Sequence, residues 1–427
     1  MNLAERDGRV IWHPYTQMQT AGLPVAIVRG EGARLYDEEG NEYIDAISSW
    51  WVNTHGHAHP YIAEKVAAQL RQLEHVIFAG FTHEPAVLLA ERLLKVLPPN
   101  QERIFYSDNG STAVEVGLKM ALQYWHNRGM KKRTVVVLSN SYHGDTFGSM
   151  SVSVRDLFTE PFWDLLFDVV CIDAPVNGRE EDAISQFSGV TEGVDIAAFV
   201  FEPLLQGAGG MIMYDPEPLD RMIGICKEKG IPAIADEVLT GFGRTGKFFA
   251  SDYLNNKPDI ICMSKGLTGG TMALGATSCT REIYEGFLSD DKRKSFFHGH
   301  SYTGNPVACA AALASLDLFG KDETWENIRR IEQRHDAFVS KISGHPRVRN
   351  ARRTGTIVAF DVVGGEKTGY LNELRDWMND YCVSRRIIIR PLGNVIYLIP
   401  PYCITDAELE RVYAVLRSML DELPEFG

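Results

Sequence analysis

The sequence has no excess of positive charge, no long apolar segment and no paired cysteine motif. Its 43 Lys and Arg residues are outnumbered by 56 Asp and Glu residues, which gives a formal net charge of −13 at pH 7. This balance argues against binding of a nucleic-acid backbone, which requires a basic face, but it allows a small anionic ligand in a locally positive pocket. No apolar run could span a bilayer, and the first residues contain no apolar signal core. We therefore expect a cytoplasmic protein that binds neither nucleic acid nor membrane.

None of the seven cysteines belongs to a C-x-x-C pair, and most lie in apolar stretches such as residues 260–263. This usage predicts reduced core thiols rather than disulfides or a redox pair. The sequence also lacks internal repeats and low-complexity linkers. With 427 residues and 45% hydrophobic content, the chain is long enough for two or three domains with a large buried core.

The middle of the chain alternates short apolar strands with longer helical segments. The helical segments include residues 111–125 and 218–229. The candidate strands are continuous apolar runs, as expected for strands that are covered on both faces. They span residues 103–106, 134–138, 169–172, 197–201, 231–235 and 260–263. This order predicts an α/β fold with a mainly parallel, doubly wound sheet.

The two ends of the chain have a different pattern. Residues 21–46 predict a small hairpin, with its turn at residues 38–41. A long charged helix is predicted over residues 323–343, followed by mixed strands and helices. We expect a large domain over residues 49–314 and a smaller domain built from residues 1–48 and 315–427.

Polar and ionisable residues follow five of the predicted strands. They are Asp108-Asn109-Gly110-Ser111, residues 140–145, Glu202, Asp236-Glu237 and Ser264-Lys265. Ligands of open parallel sheets bind beyond the carboxyl ends of the strands. The five clusters therefore predict one site at one edge of the sheet.

Lys265 and Asp236 are the two residues most informative about chemistry. Lys265 follows a buried strand, and partial desolvation would favour the neutral amine that attacks a carbonyl group; a solvated loop lysine is the alternative. Asp236 follows the apolar run 231–235, and a buried carboxylate needs a cationic partner. The ring nitrogen of pyridoxal phosphate is one such partner. A structural salt bridge and a metal are the alternatives, and metal is weaker because no nearby His or Cys has ligand spacing.

Two further segments suit such a cofactor. Gly110 and Ser111 begin a predicted helix, where free backbone N–H groups and the helix dipole favour a phosphate, although a simple cap has the same pattern. Tyr142 could stack on a planar ring, while His143 is either a structural or a catalytic histidine. The glycines after Gln206 lack the dinucleotide-binding spacing.

Taken together, these residues resemble the class III aminotransferases. The similarity lies in Asp236-Glu-Val-Leu-Thr-Gly-Phe-Gly-Arg-Thr-Gly, in Ser264-Lys-Gly-Leu-Thr-Gly-Gly, and in the separation of 29 residues between Asp236 and Lys265. The resemblance covers nearly the whole chain. It implies a fold-type I enzyme with pyridoxal 5'-phosphate as cofactor, a mainly parallel seven-stranded sheet in a large domain, and a smaller α+β domain from both termini.

Other segments resemble the biotin-pathway branch of that family. They are Ile11-Trp-His-Pro-Tyr-Thr-Gln-Met, Ser48-Ser-Trp-Trp, Ala121-Leu-Gln-Tyr-Trp, Ser141-Tyr-His-Gly-Asp-Thr-Phe-Gly, Gly207-Ala-Gly-Gly-Met, Arg390-Pro-Leu-Gly and Ile396-Tyr-Leu-Ile-Pro-Pro-Tyr. The resemblance implies amino transfer to 8-amino-7-oxononanoate, giving 7,8-diaminononanoate, with S-adenosylmethionine as the donor. Lysine as the donor, and an ornithine or 4-aminobutyrate transaminase of the same class, are the alternatives.

The resemblance also implies a role for individual residues. Lys265 holds the cofactor and moves the substrate proton, Asp236 pairs with the ring nitrogen, and Tyr15 is the third catalytic residue. The other cofactor contacts are Gly110 and Ser111 at the phosphate, Tyr142 and Val238 at the ring faces, Glu202 at the polar edge, and Ser301 of the partner subunit of a homodimer. The substrate pocket consists of Tyr15, Trp50, Trp51, Tyr142, Asp145, Gly299, Arg390 and Tyr397, with Arg390 binding a carboxylate.

The sequence departs from the family pattern at two places. His300-Ser301 stands where Pro-Thr is more common, although serine keeps the hydroxyl group, and Leu392 replaces an aromatic residue. Two other classes fit less well. A pyridoxal-phosphate-binding regulator would need a DNA-binding module that the sequence lacks, and a dinucleotide oxidoreductase leaves Lys265 unexplained.

Overall fold

The protein is built on a seven-stranded sheet. The computed structural model describes residues 1–176, 178–193, 195–364 and 372–424. The strands of this sheet lie in the order Gln101–Ser107, Gly275–Thr280, Ile260–Met263, Ala233–Asp236, Ile196–Phe201, Thr134–Leu138 and Val170–Ile172. Gly275–Thr280 is antiparallel to both of its neighbours, and the other pairs are parallel. The predicted α/β fold with a mainly parallel seven-stranded sheet is confirmed.

The central strands are continuous apolar runs because both of their faces are covered. Ile234 and Val200 pack with helix Gly110–Asn127 on one face. Ala235 and Phe201 point to the opposite face, into the larger core that helices Glu180–Gly193 and Pro216–Lys229 cover. The predicted strand 231–235 begins at Ala233 instead, since Pro232 has no N–H group to donate to a ladder.

Helices surround this sheet and continue to both ends of the chain. The α-helices are Leu3–Asp7, Pro60–Gln72, Glu84–Val96, Gly110–Asn127, Phe147–Ser151, Glu180–Gly193, Pro216–Lys229, Arg281–Glu285, Pro306–Phe319, Asp322–Ile342, Glu373–Ser384 and Asp406–Asp421. Short 3-10 turns are Glu160–Leu165, Ala250–Tyr253, Lys265–Thr268 and Lys292–Lys294. The long charged helix predicted over residues 323–343 is thus present as Asp322–Ile342.

The two ends of the chain meet in a small mixed sheet. Ile27–Glu31, Arg34–Asp37 and Glu42–Asp45 form an antiparallel meander, so the hairpin predicted over residues 21–46 is present as the last two strands, and the first strand was not predicted. Its predicted turn lies between the second and third strands. Ile387–Ile388, from the other end of the chain, joins Glu42–Asp45 in parallel.

The C-terminal part contains one more sheet, and a two-stranded ribbon lies within the central part. The C-terminal sheet consists of Val348–Thr354, Ile357–Val362 and Val395–Leu398, and the ribbon of Leu205–Gln206 and Ile212–Met213. The predicted division at residues 48 and 314 stays a prediction, and its last part includes residues 365–371 and 425–427, which lie outside the described residues. No helix within the described ranges is long and apolar enough to cross a membrane.

Candidate active site

The five predicted polar clusters lie at one edge of the central sheet. The strands that precede them all run in the same direction, so their carboxyl ends share that edge. The strands end at Ser107, Leu138, Phe201, Asp236 and Met263. This common edge places Lys265, Asp236 and Glu202 close enough to influence one another electrostatically.

Asp236 is a buried carboxylate with two donors. Its Oδ1 accepts the N–H of Val238 at 3.0 Å, and its Oδ2 lies 2.8 Å from Nδ1 of His143. An ionised carboxylate can only accept, so the imidazole donates from Nδ1. The Nε2 atom of His143 is buried and has no hydrogen-bond partner among the described residues. His143 is therefore the residue that orients Asp236, and its sequence neighbourhood alone left this role undecided.

Lys265 lies at the start of a short turn, next to an aromatic wall. Its Nζ atom is 4.5 Å from the centre of the Trp51 ring, and its backbone is left-handed, with φ of 48°. Desolvation lowers the pKa of the Lys265 amine to about 8, against the opposing negative charges of Asp236 and Glu202. A free surface lysine, the alternative considered above, would not lose its hydration in this way. The lowered pKa favours the neutral, nucleophilic form of the Lys265 amine.

Glu202 is the second buried carboxylate at this edge. Its side chain accepts the N–H groups of Tyr142 at 3.1 Å and Gly207 at 2.9 Å. Desolvation raises the pKa of the Glu202 carboxyl to about 7, and the nearby charge of Asp236 acts in the same direction. Glu202 can therefore hold or release a proton near neutral pH.

The start of helix Gly110–Asn127 points at the same edge. The side chain of Asn109 caps the N–H of Thr112. The N–H groups of Gly110 and Ser111 belong to the first turn of the helix, where no intrahelical acceptor is available. A Cβ atom at Gly110 would lie 2.6 Å from Cγ1 of Val238, so only glycine permits this close approach. Ser111 Oγ lies 2.7 Å from Thr146 Oγ1. The helix start is thus fixed beside the Asp236–Val238 segment as a seat for an anion.

Residues Ser48–Trp51 form a turn of left-handed backbone. Their φ angles are 51°, 45°, 75° and 74°, although none of the four is glycine. Each such residue costs roughly 1–2 kcal/mol relative to right-handed backbone. Strain of this kind persists where surrounding contacts impose it, and it often marks a functional site.

The turn directs its two tryptophans to different groups. The guanidinium of Arg390 lies 4.6 Å from the centre of the Trp50 ring, whereas Trp51 faces Lys265. Trp51 also packs edge-to-face on Tyr397, with ring centres 5.9 Å apart. The buried Nε1 of Trp51 and Nε of Arg390 have no hydrogen-bond partner within the described part of the chain. These contacts bring Trp50, Trp51, Arg390 and Tyr397 together with the lysine.

Tyr15, Tyr142 and Asp145 form a hydrogen-bonded group. Tyr15 donates its hydroxyl to Asp145 at 2.6 Å, and Tyr142 donates to the other carboxylate oxygen at 3.1 Å. Tyr15 also packs edge-to-face on Trp50, at 5.5 Å between ring centres, and on Phe158, at 5.9 Å. Asp145 is exposed, so the group lies at the mouth of the site. Nothing in the sequence pattern pointed to Phe158.

Gly299 and Ser301 lie in a different segment. Ser301 is exposed. Near it, His298 Nδ1 is 3.0 Å from Lys119 Nζ, and His300 Nε2 is 4.0 Å from Asp108 Oδ1. The segment thus runs along helix Gly110–Asn127 and the residues that precede it. The predicted action of Ser301 across a subunit interface stays a prediction. Leu392, the other departure from the family pattern, packs with the apolar cluster that contains Trp51 and Tyr397.

The loop that carries Lys265 is packed tightly against the residues that follow Trp51. A Cβ atom at Gly270 would lie 2.8 Å from the backbone of Val52, and one at Gly266 would lie 3.2 Å from Thr54 Cγ2. The buried guanidinium of Arg244 donates to the carbonyl groups of Trp51, Asn53 and Pro400. Arg244 stands inside the class III aminotransferase motif, but its carbonyl partners are 156 to 193 positions away along the chain. These contacts could not be read from the sequence.

An α/β fold with a buried lysine, an adjacent carboxylate and a helix N-terminus at one sheet edge defines an enzyme that binds a phosphorylated carbonyl cofactor. Comparison with known proteins gives the family. Residues 15–420 match the model of the aminotransferase class-III family. An adenosylmethionine-8-amino-7-oxononanoate aminotransferase of Synechococcus elongatus is 47% identical, over 97% of this chain and 99% of its own length. The chain belongs to the class III aminotransferases.

Solved structures agree with this membership. The adenosylmethionine-8-amino-7-oxononanoate aminotransferase of Methanocaldococcus jannaschii has a TM-score of 0.93 at 36% identity and 98% coverage of both chains. An amine transaminase from an uncultivated Pseudomonas species, in its PLP-bound form, has a TM-score of 0.90 at 30% identity, covering 97% of this chain and 99% of that chain. Family membership confirms the predicted amino-transfer activity and the predicted cofactor, pyridoxal 5'-phosphate.

The residues present fit this cofactor. The buried, unpartnered Nε2 of His143 and Nε1 of Trp51 lie around Asp236 and Lys265. The helix start at Gly110 offers backbone N–H groups for a phosphate, and the carboxylate of Asp236 matches a protonated ring nitrogen. An amine, an anion seat and a buried carboxylate are the three groups that this cofactor requires.

Proposed function

We propose that this enzyme transfers an amino group from S-adenosylmethionine to 8-amino-7-oxononanoate in biotin biosynthesis. The observation that carries the proposal is the pair of neighbouring tryptophans, Trp51 at Lys265 and Trp50 at Arg390. The acceptor is a long apolar chain with a keto group near one end and a carboxylate at the other. Aromatic walls between an amine and a guanidinium suit such a molecule. The names of the relatives from S. elongatus and M. jannaschii support the same substrate.

The proposed residue roles follow from the positions described above. Bound pyridoxal phosphate supplies an electron-withdrawing ring that accepts electrons when a proton leaves the substrate carbon. Asp236, oriented by His143, keeps the ring nitrogen protonated, and Lys265 holds the cofactor and moves the proton at that carbon. Glu202 would contact the polar edge of the cofactor ring.

The remaining proposed contacts bind and orient the reactants. Gly110 and Ser111 would hold the phosphate together with Ser301 of the partner subunit, and Tyr142 and Val238 would pack against the ring. Tyr15 and Asp145 bind the cationic donor, whose sulfonium is attracted by aromatic faces and a carboxylate. Arg390 binds the acceptor carboxylate, while Trp50, Trp51, Gly299 and Tyr397 line the pocket.

A homodimer in the cytoplasm and the division at residues 48 and 314 belong to the same proposal. Large exposed apolar side chains support an interface near Ser301, because contiguous patches of this kind usually mark contact surfaces. Phe297 and Tyr302 are 71% and 66% exposed. The pairing of Ile387–Ile388 with Glu42–Asp45 supports a small domain that is built from both termini.

The deciding experiment follows the absorbance of cofactor-loaded enzyme mixed with one donor and no acceptor. We expect S-adenosylmethionine to remove the absorbance of the lysine-bound cofactor, and 8-amino-7-oxononanoate to restore it. If only lysine removes the absorbance, the acceptor assignment stands and the donor assignment is wrong. If only ornithine or 4-aminobutyrate acts, the proposed function is wrong. The Lys265→Ala variant is the control and should show no turnover with any donor.

A further inference from the structure

The carboxylate of Asp45 lies beneath the left-handed turn Ser48–Trp51 and is fully shielded from solvent, with 0% of its side chain exposed. Its Oδ1 accepts the N–H of Ile47 at 3.1 Å, and its Oδ2 accepts the hydroxyl of Ser49 at 2.8 Å. Both donors belong to the turn or to its entry. The carboxylate therefore bonds to the chain where the backbone changes hand.

A third donor approaches Asp45 from the far side of the turn. Nε2 of His57 lies 2.9 Å from Oδ2 of Asp45, and the side-chain amide of Asn53 lies 3.2 Å from Nδ1 of the same ring. Because Asn53 Oδ1 accepts the N–H of Gly56 at 2.7 Å, the amide nitrogen is the group that faces His57. It donates to Nδ1, so Nε2 carries the proton that Asp45 accepts. The Asp45 carboxylate thus bonds to the chain before, within and after the turn.

The backbone N–H groups on either side of Asp45 donate to the strand that leads to Arg390. Asp45 is paired with Ile388 in the small parallel ladder, two positions before Arg390. The ladder therefore sets the distance between the Arg390 guanidinium and the Trp50 ring. Asp45 thus lies in the segment that joins the tryptophan turn to this ladder.

We propose that Asp45 is a positioning residue for the amino-transfer site. It holds Ser48–Trp51 in the left-handed conformation and thereby keeps the Trp50 indole against Arg390 and the Trp51 indole against Lys265. The inference rests on the proposed function where it assigns Trp50 and Arg390 to acceptor binding. The hydrogen bonds to Asp45 stabilise a left-handed backbone that glycine would adopt without them.

Two substitutions at Ser49 distinguish the effect of its hydrogen bond to Asp45 from the effect of its backbone conformation. Ser49 is exposed, so neither change threatens folding. Ser49→Ala and Ser49→Gly both delete the hydroxyl that Asp45 accepts, but only glycine adopts left-handed backbone without strain. We expect Ser49→Ala to raise the KM for 8-amino-7-oxononanoate roughly tenfold, the effect of one lost hydrogen bond to a charged group. We expect Ser49→Gly to stay within about twofold of the wild type, since its backbone preference replaces the bond.

Asp45→Ala gives the larger effect, and adding Ser49→Gly to it should recover part of the lost affinity. The kcat of Asp45→Ala should fall less than its KM rises. Ser340→Ala is the matched control, because that exposed serine donates to the carbonyl group of Asp336 on a distant helix. The proposal is overturned if Asp45→Ala lowers only the melting temperature, or if Ser49→Ala and Ser49→Gly have the same KM.

A failure of the proposed function can be distinguished from a failure of the Asp45 proposal, because it is measured in the wild-type enzyme. If the wild type does not aminate 8-amino-7-oxononanoate, the variants are compared by the donor concentration that gives half-maximal loss of cofactor absorbance. The tryptophan fluorescence of the cofactor-free protein gives a readout that needs no substrate. We expect Asp45→Ala and Ser49→Ala to change the emission and its quenching by acrylamide, and Ser49→Gly and Ser340→Ala to leave both unchanged. An unchanged emission in Asp45→Ala contradicts the positioning role.

Discussion

His143 donates from Nδ1 to Asp236 across 2.8 Å, and both side chains are almost completely buried, with exposed fractions of 0% and 6%. A buried carboxylate that loses its partner is strongly destabilised or becomes protonated. The imidazole therefore gives Asp236 a second hydrogen-bond donor and holds its carboxylate in one orientation.

The first prediction concerns this pair. His143→Phe removes the donor and leaves Asp236 with the N–H of Val238. We expect cofactor binding to weaken roughly tenfold to hundredfold, the range for a hydrogen bond to a charged group. Titration of cofactor-free protein with pyridoxal phosphate measures this affinity. His126→Phe, at an exposed histidine, is the control, and equal affinities in the two variants would contradict the prediction.

The second prediction concerns pH. The pKa of Lys265 is lowered to about 8 by desolvation, so the neutral amine becomes dominant above that pH. The rate at which cofactor-free enzyme captures pyridoxal phosphate on Lys265 should rise with pH and level off above a midpoint near 8. Because Asp236 and Glu202 oppose the shift, Asp236→Asn should move the midpoint lower. A midpoint near that of a free lysine, or one that moves upward in Asp236→Asn, would show that the amine is not desolvated as described.

The third prediction links Glu202 to stability. Its pKa is raised from 4.5 to about 7, so between these values the folded chain binds more protons than the unfolded chain. The free energy of unfolding must therefore fall as pH rises through this window. The contribution is at most about 3.4 kcal/mol, at 1.36 kcal/mol for each pKa unit. Urea unfolding of cofactor-free wild type and Glu202→Gln at pH 5 and pH 8 should show the smaller pH dependence in the variant. Parallel profiles would refute the assignment.

The fourth prediction tests the carboxylate end of the pocket. Arg390→Met removes the guanidinium that lies over Trp50, and we expect the KM for 8-amino-7-oxononanoate to rise roughly hundredfold, the effect of losing a buried charged partner. The KM for the methyl ester of the acceptor, which lacks the negative charge, should change little in this variant. Steady-state kinetics with acid and ester give the comparison, with Arg411→Met, at an exposed arginine, as the control. The same loss with both acceptors would exclude a contact between Arg390 and the carboxylate.

The fifth prediction tests the donor end. Tyr15→Phe deletes the hydroxyl bond of 2.6 Å to Asp145, and we expect the KM for the donor to rise roughly tenfold. Asp145→Asn weakens the same bond, so the double variant should be little worse than either single variant. Fully additive effects would mean that the two residues act independently.

The sequence predicted the central sheet well because its strands are apolar on both faces, a pattern that does not depend on distant residues. Thr134–Leu138 and Ile260–Met263 have the predicted bounds. Gly275–Thr280 was missed because its residues, Gly-Ala-Thr-Ser-Cys-Thr, are small and mostly polar. Its burial is possible because Thr277 donates to the carbonyl group of Ala113, and Ser278 donates to the side chain of Gln101.

The site was predicted in part. Lys265 and Asp236 stand after apolar strands, and their meeting follows from the sheet topology. The partnership of His143 with Asp236 spans 93 residues and depends on how two loops fold over the sheet edge. The left-handed turn at Ser48–Trp51 has no local signal, since serine and tryptophan do not favour that backbone. Arg244, which donates to the carbonyl groups of Trp51 and Asn53, is more than 190 residues away, and such a contact cannot be read from a neighbouring stretch of sequence.

The close packing of Gly266 and Gly270 against Val52 and Thr54 has a consequence for engineering. Because a Cβ atom at Gly270 would lie only 2.8 Å from the Val52 backbone, neither segment can be exchanged for a bulkier one while the other is kept. A chimaera that imports the tryptophan segment of another transaminase must also import its lysine loop. When relatives are recombined, residues 48–55 and 264–270 must come from the same parent, although more than 200 positions separate them in the chain.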